Sequence, residues 1–265
     1  MARPVAVITG ASAGIGTELA RVFAAHGHDL VLVARREDRL QAVAERLRTK
    51  YGARVEIFVL DLANGDACER LCAEIASRGI HIDALVNNAG YGVPGSYTAS
   101  PWERHRDFLQ VLVTDVCELT YRLLPAMIER GYGRIINVAS LAGLVPPPAG
   151  HTLYGAAKAF LIKFSEALAN EVRRSNVHVT ALCPGFTVSE FHDVTGTRDK
   201  MKQMPSWMWM DAPTVARQGF DAVMAGRSIY INGRVNRSIA ALCRLLPQTL
   251  VYAVGRRAGR AYRKA

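Results

Sequence analysis

Short apolar, β-branched runs alternate along most of the chain with longer stretches whose apolar residues recur every three or four positions. The runs Val5–Thr9, Asp29–Ala34, Val55–Leu60, Ala84–Asn87, Arg134–Ala139 and Val177–Cys183 read as strands. They are apolar almost throughout, as strands covered on both faces are. Helical periodicity marks Glu18–His26, Arg39–Lys50, Ala67–Arg78, Trp102–Arg130 and Tyr154–Arg174. Strand–helix alternation with right-handed crossovers predicts a parallel, doubly wound sheet with helices on both faces, an α/β fold of the Rossmann type. No repeat, low-complexity tract or linker divides residues 1–265, so a single domain is expected. Two regions break the rhythm. Residues from about 187 to 212 are irregular and rich in Met and Trp, and about 233–265 is an apolar stretch ending in a basic tail.

The turn after the first strand carries the first chemistry. Thr9-Gly10-Ala11-Ser12-Ala13-Gly14-Ile15-Gly16 joins an apolar strand to a helix. A pyrophosphate can rest on such a helix tip, where backbone N–H groups point outward and the dipole favours negative charge. Side chains on the turn would block that approach, so glycine is required. The turn opens a strand–helix–strand unit, which is the context a dinucleotide site needs. The second strand ends Ala34-Arg35-Arg36. An acid here would bind the ribose 2′-hydroxyl of NAD(H), whereas arginine pairs with the 2′-phosphate of NADP(H). With no acid at 34 or 35, NADP(H) is favoured over NAD(H), with Arg35 and Ser12 as the phosphate contacts.

Composition and charge change the picture in one place. Half the residues are hydrophobic and 21% are charged, enough for a full core. The formal charge is +10, but no acidic residue follows Asp221, while nine basic ones do: Arg227, Arg234, Arg237, Arg244, Arg256, Arg257, Arg260, Arg263 and Lys264. Removing those nine from 33 leaves 24 basic against 23 acidic residues, so the body is nearly neutral and a chain-wide nucleic-acid surface is not indicated. Five scattered cysteines without a C-x-x-C pair point to reduced thiols and a cytoplasmic setting. Cys68 and Cys72 share a helix face but lack a completing ligand set, so no metal site is expected. The N-terminus lacks the pattern of a signal peptide. The apolar run Ile239–Val254 contains Arg244 and Pro247 and is shorter than the roughly 20 residues a membrane span needs.

Ser140 follows the fifth strand, and Tyr154 and Lys158 lie one helical turn apart on the next helix. Free tyrosine ionises near pH ~10. An adjacent ammonium favours the phenolate, so Tyr154 could exchange a proton with a substrate oxygen that Ser140 holds. The chain resembles the short-chain dehydrogenase/reductases over about residues 4–190. The matching pieces are the glycine turn at 9–16, Asp61-Leu62, Asn87-Asn88-Ala89-Gly90, Ser140, Tyr154-Gly155-Ala156-Ala157-Lys158 and Pro184-Gly185. The resemblance implies an oxidoreductase that moves a hydride between NADP(H) and a carbonyl or alcohol. Tyr154 would be its acid/base, Lys158 would hold the nicotinamide ribose, and Ser140 would position the substrate. Asp61 and Leu62 would flank the adenine, and Asn88, Ala89 and Gly90 would line the cofactor cleft. Pro184-Gly185-Phe186-Thr187-Val188-Ser189 would run past the nicotinamide, with Thr187 and Ser189 as contacts.

The resemblance also implies a homodimer or homotetramer, with the helices at 102–130 and 154–174 as contacts. One position departs from it. The family's usual asparagine, thirteen residues before Pro125, is Leu112, which leaves open another proton route past Thr114, slower turnover, or a cofactor-binding protein without turnover. The Met- and Trp-rich stretch reads either as a lid over an apolar substrate or as plain packing. The tail reads as a helix packed on its own domain, a dimer contact, or a peripheral contact with an anionic membrane.

Overall fold

The computed structural model describes residues 3–147, 149–190, 205–247 and 249. Seven strands form one parallel sheet in the order β3-β2-β1-β4-β5-β6-β9. They are β1 (Val5–Thr9), β2 (Asp29–Ala34), β3 (Val55–Val59), β4 (Ala84–Asn87), β5 (Gly133–Val138), β6 (Val177–Cys183) and β9 (Ile229–Ile231). The order reverses between β1 and β4, and the Gly10 turn and Asn88 meet at that switch point, where ligands of such sheets bind. The helices are α1 (Gly14–Ala25), α2 (Glu37–Tyr51), α3 (Ala67–Ser77), α4 (Trp102–Leu109), α5 (Asp115–Glu129), α6 (Thr152–Glu171), α7 (Ala212–Met224) and α8 (Arg234–Leu245). Side chains of α1, α2 and α7, such as Phe23, Leu40 and Phe220, bury one face of the sheet against Ile8, Leu30 and Leu32. Leu71, Leu119 and Leu168 from α3, α5 and α6 cover the other against Val7, Leu85 and Ile135.

The six expected strands are present with ends moved by at most one residue. Three differences have physical causes. Helix α1 starts at Gly14, four residues before Glu18, because glycines carry no periodicity to read. The helix expected over Trp102–Arg130 is interrupted: Gln110–Thr114 wind as one π-helical turn, and Gln110 Nε2 donates to Asp115 Oδ1 across it at 2.7 Å. Helix α7 and strand β9 were not anticipated. Asp211 caps α7 by accepting from Thr214 N–H at 2.7 Å, a start signal obscured by the irregular sequence before it. Three residues are too few for β9 to show alternation.

Both described parts of the region from 187 to 212 carry a short strand. β7 (Thr187–Val188) pairs with β8 (Met210–Asp211), while residues 191–204 lie outside the described residues. Of the tail, α8 is described: Asn236 is buried against the body, and Leu242 and Leu245 are exposed beside Arg244. The basic residues from Arg256 onward lie outside the described residues. Among those described, no helix is long and apolar enough to cross a membrane.

Candidate active site

The glycine turn is built by exclusion. Gly10 has φ +67°, and a Cβ there would lie 2.8 Å from Asn88 Nδ2 and 2.9 Å from Ala89 Cα. A Cβ on Gly16 would collide with Gly10 O and Asn88 Nδ2. Asn88 fastens the turn to the end of β4, donating from Nδ2 to Thr9 O at 2.9 Å and Gly10 O at 3.2 Å. Thr9 Oγ1 accepts from the N–H groups of Asn88 and Ala89, at 3.0 Å each. At the helix tip itself, Ala13 makes no side-chain cap and the first turn of α1, with Ile15 in it, has no acid. The outward N–H groups of a tip with no side-chain cap and the bare backbone fit a pyrophosphate.

Around the turn the two arginines take different partners. Ser12 Oγ accepts from Arg36, at 3.1 Å from Nη2 and 3.4 Å from Nε, so Arg36 stands beside the helix tip. Arg35 lies 3.7 Å from Asp61 Oδ2 with its side chain 66% exposed, and no bond from it to Ser12 is formed. Asp61 is further held as acceptor from Ala63 N–H at 3.0 Å, and Leu62 is buried in the apolar cluster behind the turn with Phe108 and Leu112. Gly90 packs against that same Leu112, whose Cγ would be 3.5 Å from a Cβ at Gly90.

The catalytic trio meets because a 3-10 turn after β5 packs on α6. Ser140 caps that turn, its Oγ accepting from Ala142 N–H at 3.1 Å. Gly143 lets the turn touch the helix backbone, since a Cβ there would sit 2.7 Å from Lys158 C and Ala159 N. Nothing about Gly143 in the sequence signalled this role. Tyr154 bonds Ser140 through its side chain, and Lys158 Nζ lies 5.7 Å from the centre of the Tyr154 ring. Lys158 is 5% exposed and donates to Val138 O at 2.7 Å. Behind the trio, Asn87 Nδ2 donates to Asn137 Oδ1 and Asn137 Nδ2 to Ser165 Oγ, both at 2.9 Å, which ties β4 and β5 to α6.

Burial, rather than the lysine, governs the phenol. It pushes Tyr154 up to about 12, with the Ser140 hydrogen bond working against it. Burial also pushes Lys158 down to about 8. The lowering of the Tyr154 pKa expected from the adjacent ammonium is not achieved by these side chains alone, because that ammonium is turned onto Val138 O.

A strap after β6 closes the cleft. Pro184 O accepts from Leu141 N–H at 2.9 Å, linking it to the Ser140 turn. Gly185 admits Asn236 of α8, whose Oδ1 would be 2.6 Å from a Cβ at Gly185. Thr187 Oγ1 donates to Gly185 O at 3.2 Å, and Ser189 lies over Gly14, 3.0 Å from the place a Cβ there would take. Phe186 and Trp209 face each other with ring centres 5.6 Å apart. A cavity of about 10 Å³, room for about one water, lies beside Tyr154 between Val93, Tyr97, His105 and Phe108. Elsewhere, Cys68 Sγ and carboxylate oxygens of Asp115 and Glu118 lie within 4.8 Å of one another, but Asp115 already bonds Gln110 and Glu118 bonds Arg122.

A glycine-bound helix tip at the sheet's switch point, next to a Ser–Tyr–Lys trio with a buried lysine and a part-buried serine and phenol, defines a dinucleotide-binding oxidoreductase. The chain belongs to the short-chain dehydrogenase family, whose model matches residues 4–200. It is 33% identical over 217 residues to a very-long-chain 3-oxoacyl-CoA reductase of Mycosarcoma maydis, covering 81% of this chain but only 62% of that relative's length. Among solved structures it is similar to a short-chain dehydrogenase from Sphingobium yanoikuyae in complex with NADPH, with a TM-score of 0.80 and 29% identity over 92% of this chain and 96% of that one. It is also similar to a short-chain dehydrogenase/reductase from Burkholderia phymatum in complex with NAD, with a TM-score of 0.81 and 25% identity over 96% and 95% of the two chains.

Proposed function

We propose that this chain is an NADP(H)-dependent carbonyl reductase or alcohol dehydrogenase acting on a hydrophobic ketone or secondary alcohol. The observation that carries the reading is the trio itself: a part-buried phenol bonded to Ser140, one helical turn from a buried ammonium with N–H groups to spare beyond its bond to Val138 O. When bound, the nicotinamide supplies or accepts the hydride, and its oxidised ring brings a positive charge to the phenol. The rest falls to the side chains. Ser140 Oγ accepts from the Ala142 N–H, and its proton, which meets the Tyr154 oxygen here, can turn to a carbonyl oxygen bound between them. Tyr154, held protonated by burial, gives its proton to that oxygen as the carbonyl carbon becomes a carbinol. In the opposite direction the alcohol returns a proton to Tyr154. Lys158 would hold the ribose hydroxyls through the N–H groups that its bond to Val138 O leaves over. Arg36 and Ser12 supply the donors for a 2′-phosphate, and the NADPH complex of the Sphingobium yanoikuyae protein is consistent with that choice.

The rings of Phe186, Trp209, Tyr91 and Phe108 favour an apolar substrate, and the likeness to a 3-oxoacyl-CoA reductase points the same way. Exposed Tyr121 and Ile128 on α5, and Phe160 stacked on Phe164 on α6, support self-association through these helices into a dimer or tetramer.

The test is NADPH oxidation over long-chain 3-oxoacyl thioesters, ring ketones and small polar carbonyls. Tyr154→Phe should lower turnover on the best substrate by about 10³-fold, within the range of a lost general acid, with NADPH affinity kept. Unchanged turnover in that variant, or calorimetry showing no dinucleotide uptake by the wild type, would remove the enzyme reading. A preference for small polar carbonyls would remove the apolar substrate.

A further inference from the structure

The strap is fastened to the start of α2 by a single carboxylate. Glu190 accepts from Arg39 Nη1 at 2.5 and 2.6 Å and from Arg36 Nη1 at 3.0 Å. Arg36 is therefore divided between two partners: Ser12 on the phosphate turn and Glu190 on the strap. The two guanidinium groups hold the Glu190 carboxyl below the usual range, so it is ionised whenever the protein works near neutral pH. Carboxylates and phosphates present the same pair of oxygens to a guanidinium fork, and a group of either kind uses up the donors it takes. The remaining arginine of this corner, Arg35, faces Asp61 instead. Any 2′-phosphate resting beside Ser12 thus meets an arginine already claimed by an anion of the chain itself.

We propose that Glu190 sets the cofactor preference by competing with the 2′-phosphate for Arg36 and Arg39. NADP(H) must displace the Glu190 carboxylate and loosen the strap, whereas NAD(H), with a plain 2′-hydroxyl, binds with the strap still fastened. Glu190 is a specificity-determining residue in this scheme and touches no reacting atom. The inference rests on the dinucleotide site of the proposed function and fixes which of its residues tunes the choice between the two cofactors.

Calorimetry with 2′,5′-ADP and 5′-ADP isolates the 2′-phosphate from the nicotinamide chemistry. Glu190→Gln keeps the shape and removes the charge at a half-exposed position. It should tighten 2′,5′-ADP binding by about fivefold, the scale of two exposed ion pairs, and leave 5′-ADP within about twofold. Arg36→Ala combined with Arg39→Ala should abolish the difference between wild type and Glu190→Gln. An unchanged ratio of the two affinities in Glu190→Gln would overturn the proposal, as would weaker 2′,5′-ADP binding, which would mean that Glu190 orders the arginines for the phosphate. Should wild type favour 5′-ADP while Glu190→Gln gains 2′,5′-ADP, the competition stands and the NADP(H) reading of the wild type falls. A thermal melt of both variants confirms that they are folded.

Discussion

At the β1–α1 end of the cleft the charged groups are arginines in contact with water. At the β5–α6 end they are a lysine sealed from it and a phenol that is part-buried. Arg35, Arg36 and Arg39 keep 40–66% of their side chains exposed and trade partners among Asp61, Glu190 and Ser12. Lys158 is 5% exposed and has one fixed backbone acceptor. Exposed pairs are screened and worth at most about 1 kcal/mol each, so the first end can exchange one anion for another. A buried ammonium moves its pKa instead, so the second end responds to pH. Recognition sits on the exchangeable charges, and proton transfer on the sealed ones. What the two ends share is a backbone shaped by glycine: Gly10 and Gly16 at one, Gly143 at the other.

The largest expected effect comes from breaking that shared feature at the cofactor end. Gly16→Ala drives a methyl group into Gly10 O and Asn88 Nδ2, atoms that hold the turn to β4. Backbone cannot give way as a side-chain tip can. The variant should lose about 3 kcal/mol in urea denaturation and bind NADPH at least about 100-fold more weakly. Near-native affinity in a folded Gly16→Ala would show that the turn is looser than its contacts imply. The catalytic end would then be the only rigid one.

The sealed end should separate from the open one in a pH titration. Lys158 has its pKa lowered from 10.5 to about 8, so the unfolded chain holds more protons than the folded one between those values. Stability should therefore rise with pH across that window, while the ammonium that reduction needs is lost. For carbonyl reduction, kcat/KM should be flat below pH 8 and fall by up to about tenfold per unit above it. The opposed trends are the signature, and Lys158→Met should remove the rise in stability. Rates and stability falling together would mean that another group titrates.

The sequence made the cofactor end more legible than the catalytic end, for a reason the geometry explains. A glycine turn and a strand end are local features, written within residues 9–16 and 31–36, so their position in the fold followed from strand–helix alternation. The neighbours nonetheless part company: Arg36 reaches Ser12 and Arg35 faces Asp61, because successive residues leaving a strand point to opposite sides. Ser140, Tyr154 and Lys158 were found through their joint spacing, but the contact that assembles them, Gly143 on the α6 backbone, joins segments whose packing no periodicity reports. The upward pull of burial on Tyr154 was not legible for a related reason. Spacing shows that a lysine is near, but not which acceptor it has chosen or how dry the pocket is. Asn236, packed into Gly185 from α8, was likewise invisible, being an unremarkable polar residue in a basic helix.

The smallest effect concerns Leu112, where the family resemblance expects asparagine. Leu112 is 1% exposed within an apolar cluster that includes Phe108, Ala157 and Tyr154, and it fills the space against Gly90. An amide placed there would lose water and meet few polar partners, at a cost of about 1–3 kcal/mol. The π-helical turn at 110–114 forms around the leucine, with its own side-chain bond from Gln110 to Asp115, so the backbone bend needs no asparagine. Leu112→Asn should thus melt at a lower temperature while keeping turnover within about threefold, a barrier change of less than about 0.7 kcal/mol. A tenfold gain would show that proton supply to Lys158 limits the wild type and that the sealed end is drier than its chemistry prefers. A tenfold loss in a folded variant would make the leucine a working part of the substrate wall. The contrast between an exchangeable rim and a sealed floor would then extend to apolar contacts as well as charges.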